Sequence, residues 1–378
     1  MSFSQSSALK CASAVLAAAI LGCGPRDGSK EFEQGKAAYE LKDLKKAETL
    51  FARSAVLAPQ NANRILYLAR TELELGELAE AQLQIAKAVA LAGDDADVRL
   101  LKAQIDWHAK SYEESAKGFT EIAEDVRLAA AVRAQGWAGL GVVEMTCDNH
   151  HLARVAFLRA LRLDRKNAAA WYHLGLLYRD GFGYLEAALE QFEIFVRLEE
   201  EASPRVQKVQ RTIIPALKDQ IARAATEHEG AANRNSAACA TEIAKAEELW
   251  KKGKYKDARD RYVQALKSDA LSYPAAFGLA QAWEKTDATR SGQERALDCY
   301  KIACTIRPSA VKTFLTAGAL AAKLGLNLQA VEIYSRAVAA NPNSPDAIDG
   351  LIRALKKTGG KANVAAAYQR YRDSLGKK

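Results

Sequence analysis

The chain has 378 residues, of which 49% are hydrophobic and only 7% aromatic, and its formal net charge at pH 7 is +8. This length is enough for two or more compact domains or for one elongated array. Val, Ile and Thr do not gather into alternating runs between turn residues, so the pattern excludes a sheet protein and favours helices packed on small residues.

The charge is uneven along the chain. Residues 31–129 carry 13 Lys and Arg against 18 Asp and Glu, whereas residues 242–378 carry 24 against 14. The basic half could favour an anionic partner or a lipid surface. A solvated surface that keeps an elongated protein in solution is the simpler interpretation of the same excess.

An apolar run from Cys11 to Leu21 follows Lys10 near the start of the chain. It has the length of the apolar core of a signal peptide and is shorter than the roughly 20 residues that span a bilayer. We therefore expect residues 1–22 to be an export signal.

The end of this run, Ile20-Leu21-Gly22-Cys23, resembles a bacterial lipobox, in which the Cys receives a diacylglyceryl thioether before cleavage. The resemblance implies a lipidated Cys23, a short tether at residues 23–30, and a location at a bacterial membrane, in particular the periplasmic face of the outer membrane. An ordinary cleaved signal or an apolar amino-terminal helix is the alternative.

Small and aromatic residues return along the chain with a period of 34 residues. A fixed period of this length indicates an array of helical repeats. The positions that show it are Ala47, Ala81 and Ser115; Phe51, Ile85 and Phe119; Ala296 and Ala330; and Tyr300 and Tyr334.

These residues resemble the tetratricopeptide repeat, a pair of antiparallel helices. Trp171, Leu174, Gly175 and Tyr178 match the pattern of its first helix, and Ala47, Phe51 and Pro59 match its second. The resemblance implies an all-α solenoid of about nine repeats in two arrays. The units start near residues 28, 62, 96, 134, 168, 239, 273, 311 and 345.

Two arrays are predicted, with five repeats at 31–199 and four at 241–378, separated by a capping helix and linker at 200–240. Ser203-Pro204 starts the capping helix, which Pro215 should break or kink, and the sequence from Glu229 has the composition of a loop. The alternative is a diverged repeat inside one unbroken superhelix. Extra residues are expected in or before the fourth unit and in turns at 180–183 and 287–292.

Cys147-Asp148-Asn149-His150-His151 contains residue types that bind Zn²⁺, but its spacing matches no established site, and polar residues are expected in a turn there. Cys299 and Cys304 lie five apart on one predicted helix and are interpreted as small packing residues. No catalytic constellation or phosphate loop is recognisable, so we predict no enzyme activity, cofactor or metal. An enzyme with an unrecognised site is the remaining alternative.

In the tetratricopeptide family, the twelfth and thirteenth positions of each unit face a concave groove. An apolar stripe at the twelfth position could bind an extended or helical segment of a partner, or the same side chains could pack within the array. The twelfth positions are Tyr39, Leu73, Trp107, Met145, Arg179 and Trp250.

The thirteenth position differs between the arrays. The first has Glu40, Glu74, His108, Thr146 and Asp180, and the second has Lys251, Lys285, Lys323 and Lys357. A row of ammonium groups suits an acidic peptide. Lysine is also favoured at a helix C-terminus by the helix dipole, whatever the function.

Together these features predict a membrane-anchored lipoprotein that acts as a protein-binding scaffold or adaptor in the bacterial cell envelope. Its partners would be proteins or peptides in the groove and the membrane at the lipid anchor, with no nucleic acid and no small-molecule substrate. The alternative is a non-catalytic subunit of a secretion, pilus or polysaccharide-export machine whose basic second array contacts an acidic partner.

Overall fold

The computed structural model of the chain describes residues 27–229 and 235–376. The predicted export signal at 1–22 and the predicted lipidation site Cys23 lie outside the described residues. Within those residues no helix is both long and apolar enough to cross a membrane.

The described part of the chain contains helices and turns and no strand, which confirms the predicted all-α class. The first eight helices are α1 (Ser29–Glu40), α2 (Leu44–Leu57), α3 (Ala62–Leu75), α4 (Leu78–Ala92), α5 (Ala96–His108), α6 (Tyr112–Glu124), α7 (Ala130–Thr146) and α8 (His150–Leu163).

The next four helices include two turns of π-helix. They are α9 (Ala168–Leu176), continued by a π turn at Leu177–Gly181; α10 (Leu185–Leu198); α11 (Pro204–Lys208), continued by a π turn at Val209–Ile213; and α12 (Ile214–Glu229).

The last eight helices form four further pairs. They are α13 (Ser236–Lys251), α14 (Tyr255–Ser268), α15 (Tyr273–Thr286), α16 (Arg290–Ile306), α17 (Val311–Lys323), α18 (Asn327–Ala340), α19 (Pro345–Lys357) and α20 (Ala362–Leu375). Within the described chain, α11 and α12 fall outside the paired pattern; they lie in the segment 200–240.

Contacts in space divide the chain into two compact units, Met1–Gly139 and Leu140–Lys378, called unit 1 and unit 2 below. The boundary lies inside α7. The predicted arrays at 31–199 and 241–378 were defined by repeat sequence, and that division stays a prediction.

In several helix pairs an aromatic ring on the second helix lies over a glycine on the first. A Cβ atom added to Gly35 would lie 2.6 Å from Cε1 of Phe51, and one added to Gly141 would lie 2.5 Å from Cε1 of Phe157. The same contact also joins neighbouring pairs, because a Cβ atom added to Gly278 on α15 would lie 2.4 Å from Cζ of Tyr262 on α14. These distances are shorter than any van der Waals contact, so the two backbones approach only where a side chain is missing.

The extra residues mostly lengthen helices rather than turns. The fourth pair opens with α7, which begins at Ala130, and α16 begins at Arg290, inside the segment predicted to be a turn. In the fifth pair the helix continues to Gly181 by widening into a π turn. An added residue can be absorbed in this way because the i→i+5 hydrogen bond accommodates one residue more per turn.

The capping segment differs from its prediction at two points. Pro204 starts α11 and Ser203 is its N-cap, as expected. Of the two outcomes expected at Pro215, a break or a kink, the break does not occur: the π turn that ends at Ile213 directly precedes Pro215, and α12 continues to Glu229. The predicted loop also ends earlier, because the Asn235 side chain accepts a hydrogen bond from the amide of Ala238 and α13 begins at Ser236.

In unit 2 the last helix, α20, packs on α8 around a fully buried arginine. Arg154 donates from Nε to the hydroxyl of Tyr368 at 2.7 Å and from Nη1 to the carbonyl of Ser335 at 2.9 Å. Its guanidinium also lies 4.7 Å from the ring centre of Phe182. No carboxylate pairs with it among the described residues, so its charge is held by a hydroxyl, a carbonyl and aromatic faces.

Removing the hydroxyl that accepts from Arg154 should destabilise unit 2. Tyr368→Phe leaves the Nε–H of the buried Arg154 without its acceptor, so we expect the free energy of unfolding to fall by about 1–3 kcal/mol. Tyr255→Phe is the control, because the Tyr255 hydroxyl has no hydrogen bond within the described residues. Urea denaturation measures both variants, and an equal loss in the two would contradict the role assigned to Arg154.

Unit 1 contains a buried carboxyl group on α3. Glu72 is buried, and among the described residues its Oε2 has no hydrogen-bond partner. Burial, followed by the nearby carboxylates of Glu48 and Glu77, raises the pKa of Glu72 from 4.5 to about 7. The folded protein therefore holds this proton more tightly than the unfolded chain does.

Because the pKa of Glu72 is raised in the folded state, we expect the free energy of unfolding to fall as the pH rises. Between about pH 4.5 and pH 7 the folded state binds more protons than the unfolded state, so the contribution of Glu72 is lost across that window. Glu72→Gln should match the wild type at pH 4 and exceed its free energy of unfolding by up to about 3 kcal/mol at pH 8. The exposed Glu113→Gln is the control, and a difference that is the same at both pH values would exclude this proton linkage.

Candidate protein-binding faces

The twelfth-position residues of unit 1 lie in the last turns of α1, α3 and α5 and are half-buried. The Tyr39 hydroxyl donates to the carboxylate of Glu74, and Leu73 packs against the apolar cluster of α3, α4 and α5. Trp107 lies 4.7 Å from the His108 ring. Each side chain therefore contributes to packing and leaves part of its surface accessible.

The corresponding residues of unit 2 are also half-buried. Trp250 lies edge-on to Tyr255 with ring centres 4.8 Å apart, and Arg179 pairs with Asp180 at 2.6 Å. Met145 lies in the last turn of α7. Part of each twelfth-position side chain packs within the array and part is accessible to a partner. The geometry is therefore compatible with both a binding stripe and internal packing.

The four lysines at the thirteenth position of the later repeats are all exposed. Lys251, Lys323 and Lys357 are the last residues of α13, α17 and α19, and Lys285 is the residue before the end of α15. No ion pair involves any of the four within the described residues. Their position at helix C-termini is stabilised by the helix dipole, which leaves their ammonium groups available in solvent. These four residues are called the lysine row below.

The lysine row lies on neighbouring elements of unit 2. Helix α13 packs on α15, and α17 packs on α19. In contrast, two of the three acidic residues at this position of the earlier repeats are engaged: Glu74 accepts from Tyr39 and Lys42, and Asp180 pairs with Arg179. Glu40 is exposed. The later repeats therefore present positive charge at this position, whereas the earlier repeats present acidic or neutral side chains.

A cavity of about 210 Å³ in unit 2 was not predicted. Arg336 lines it, with its guanidinium 5.5 Å from the ring centre of Tyr184. The other lining residues include Glu186, Thr305 and Phe314. Its walls come from α10, α16, α17 and α18, which are distant in sequence, so no motif marks it.

Cys147, Asp148 and Asn149 form the turn between α7 and α8, and His150 and His151 are the first residues of α8. Cys147 is exposed, whereas His151 is largely buried beside Arg154, and burial and that guanidinium lower the pKa of His151 to about 3. No cluster of three metal-binding side chains occurs in the described parts of the chain. Burial raises the pKa of Cys299 to about 11 and that of Cys304 to about 12, so both are neutral thiols at pH 7.

Comparisons with known proteins agree with this geometry. Residues 243–291 match the family model of the tetratricopeptide repeat. No curated protein gave a significant match.

Three solved structures illustrate the similarity. One, described as Pseudomonas aeruginosa PilF, is 18% identical over 52% of this chain and 91% of its own, with a TM-score of 0.41. PilW, described as a widely conserved type IV pilus biogenesis factor, is 14% identical over 52% and 93%, with a TM-score of 0.42. The Cut9–Hcn1 hetero-tetramer of APC/C is 16% identical over 95% and 81%, with a TM-score of 0.39.

The matched segment runs from the middle of α13 through α14 and α15 to the first residues of α16. Pairs of antiparallel helices of the same kind recur between Ser29 and Leu375 in the described chain. The chain has the all-α fold of a tetratricopeptide-repeat array, and residues 243–291 match the model of that family.

Proposed function

We propose that the protein is a non-catalytic scaffold that binds acidic segments of partner proteins along the lysine row. The observation that carries this proposal is the exposure of four lysines without ion pairs at the same position of four successive repeats. Unpaired surface cations attract carboxylates and raise the rate of association.

The spacing of the row favours an extended peptide. First helices of neighbouring repeats typically lie roughly 10 Å apart. An extended chain advances about 3.3 Å per residue, so about every third residue of a bound segment would meet one lysine. The half-buried Trp250 lies next to Lys251 and offers an apolar contact at one end of the row.

Neutralising the lysine row should weaken binding of an acidic peptide. With Lys251, Lys285, Lys323 and Lys357 all changed to Gln, the loss of four exposed ion pairs at about 0.5 kcal/mol each predicts a Kd about 30-fold higher. Fluorescence anisotropy with a labelled peptide that has Glu at every third residue measures this change. Binding to the wild type should also weaken as salt rises.

The control changes the same number of charges elsewhere in the later repeats. Lys256, Lys267, Lys312 and Lys356 are exposed and lie off the row. Their replacement by Gln should leave Kd within about threefold of the wild type, because only long-range attraction is lost. An equal rise in Kd for the two quadruple variants would show that the peptide is attracted by net charge alone. It would exclude a specific role of the lysine row in binding.

The proposal includes anchoring to a membrane through a lipid on Cys23. It rests on the sequence Ile20-Leu21-Gly22-Cys23 after an apolar run of signal-peptide length. Attached acyl chains each contribute about 0.8 kcal/mol per buried CH₂, so two or more chains anchor a protein stably. The lipid would place the scaffold at the periplasmic face of the outer membrane.

Labelling tests the anchor. Cells that express the protein with radiolabelled palmitate should yield a labelled protein, and Cys23→Ala should abolish the label because the acceptor thiol is absent. Cys147→Ser, which removes an exposed free thiol elsewhere, should keep it. Label that persists in Cys23→Ala would overturn lipidation at this residue.

A second candidate function is that of a non-catalytic subunit in a secretion, pilus or polysaccharide-export machine. The excess of Lys and Arg over residues 242–378 favours it, because a basic surface also suits a polyanion. Crosslinking from Trp107 and Trp250 positions in the native envelope, followed by mass spectrometry, would distinguish a protein partner from a polysaccharide.

A further inference from the structure

The first described residues are held firmly against the end of α2 in unit 1. The guanidinium of Arg64 donates to the carbonyl of Asp27, and the Ser54 hydroxyl donates to the carbonyl of Gly28 at 2.8 Å. A Cβ atom added to Gly28 would lie 3.0 Å from Cβ of Leu57. The path of the chain before Gly28 therefore starts beside the C-terminal turn of α2.

This turn carries apolar side chains that the described residues leave partly uncovered. Val56 is 79% exposed and Leu57 is 40% exposed. Arg53 is exposed three residues before Val56, and Lys30 is exposed two residues after Gly28. We call these four residues the α2 patch. Exposed apolar side chains beside cations are typical of surfaces that rest on an anionic bilayer.

The charge around the α2 patch differs from the rest of unit 1. No Asp or Glu occurs from Thr49 to Thr71, a stretch that contains three Arg, although residues 31–129 are acidic as a whole. The carboxylates of residues 27–33 are Asp27, which accepts hydrogen bonds from Ser29, the half-buried Glu31, and Glu33, which pairs with Lys36. The α2 patch thus presents two exposed cations without a carboxylate on α2 itself after Glu48.

Covalent geometry limits where a lipid could lie. Cys23 is five residues before Gly28, and an extended chain spans at most roughly 3.5 Å per residue, so a lipidated Cys23 lies within about 17 Å of the α2 patch. The next turn at the same edge of unit 1 carries Asp94 and Asp95, which an anionic surface would repel.

We propose that the α2 patch rests on the surface of an anionic bilayer, with Val56 and Leu57 inserted at the headgroup level and Lys30 and Arg53 facing lipid phosphates. This inference rests on the proposed lipidation of Cys23. It assigns unit 1 a fixed orientation at the membrane, with the first repeat in contact and the second held away by its aspartates.

Depth-dependent fluorescence quenching tests this contact. Val56→Cys, in a Cys147→Ser background, is labelled with an environment-sensitive dye in the full-length lipidated protein, which is then bound to vesicles of phosphatidylethanolamine and phosphatidylglycerol. The dye should shift to shorter wavelength and be quenched by nitroxide-labelled lipids, because position 56 enters the headgroup region.

Leu41→Cys is the matched control. Leu41 is 83% exposed and precedes α2, whose 14 residues span about 20 Å, so it lies at the opposite end of the same helix pair. Its dye should stay in water. Lys30→Glu with Arg53→Glu should reduce quenching at position 56 on the anionic vesicles, and should do so much less on phosphatidylcholine vesicles.

The outcomes separate this inference from the proposed function. A protein that carries lipid and floats with the vesicles, but whose position 56 is not quenched, or is quenched no more than position 41, overturns the membrane contact and leaves lipidation intact. A protein without palmitate label overturns the anchor, and with it the contact that depends on the anchor.

Discussion

The close approach of two helices over a missing side chain is the contact on which several repeats of this protein depend. The rings of Phe51 and Tyr262 occupy space that an alanine at Gly35 or Gly278 would fill. A ring in this position also touches the following pair: Phe51 lies 5.4 Å from Tyr67 on α3. One aromatic residue thus fixes both the geometry within a repeat and the contact to its neighbour.

The sequence predicts those features that repeat. Glycine, alanine and aromatic residues at a constant period identify the helix pairs, and the exposed lysines occur at helix ends because their register follows from that period. Insertions were harder to place. Composition suggests turns for Gly and Asp near residues 180 and 290, whereas the backbone gains stability by extending a helix or widening it into a π turn.

Contacts between distant repeats left no mark in the sequence. From the sequence alone, Arg154 is expected to be an exposed polar residue of α8. It is buried because α20 packs on α8 and places Tyr368 against it. The cavity beside Arg336 likewise joins residues from repeats that are more than a hundred positions apart. A periodic pattern reports the faces that neighbouring units share, and it carries no information about which non-neighbouring units meet.

The contact between α8 and α20 also bears on how unit 2 forms during synthesis. An ordinary repeat array can add stable units one at a time as they leave the ribosome. Here Arg154 on α8 donates to Tyr368 on a helix that is translated roughly two hundred residues later. Until that helix is made, water must solvate the guanidinium in place of the tyrosine hydroxyl. The last helix therefore completes the folding of repeats made long before it, and a ribosome that stalls early would release a chain whose arginine site is still open to solvent.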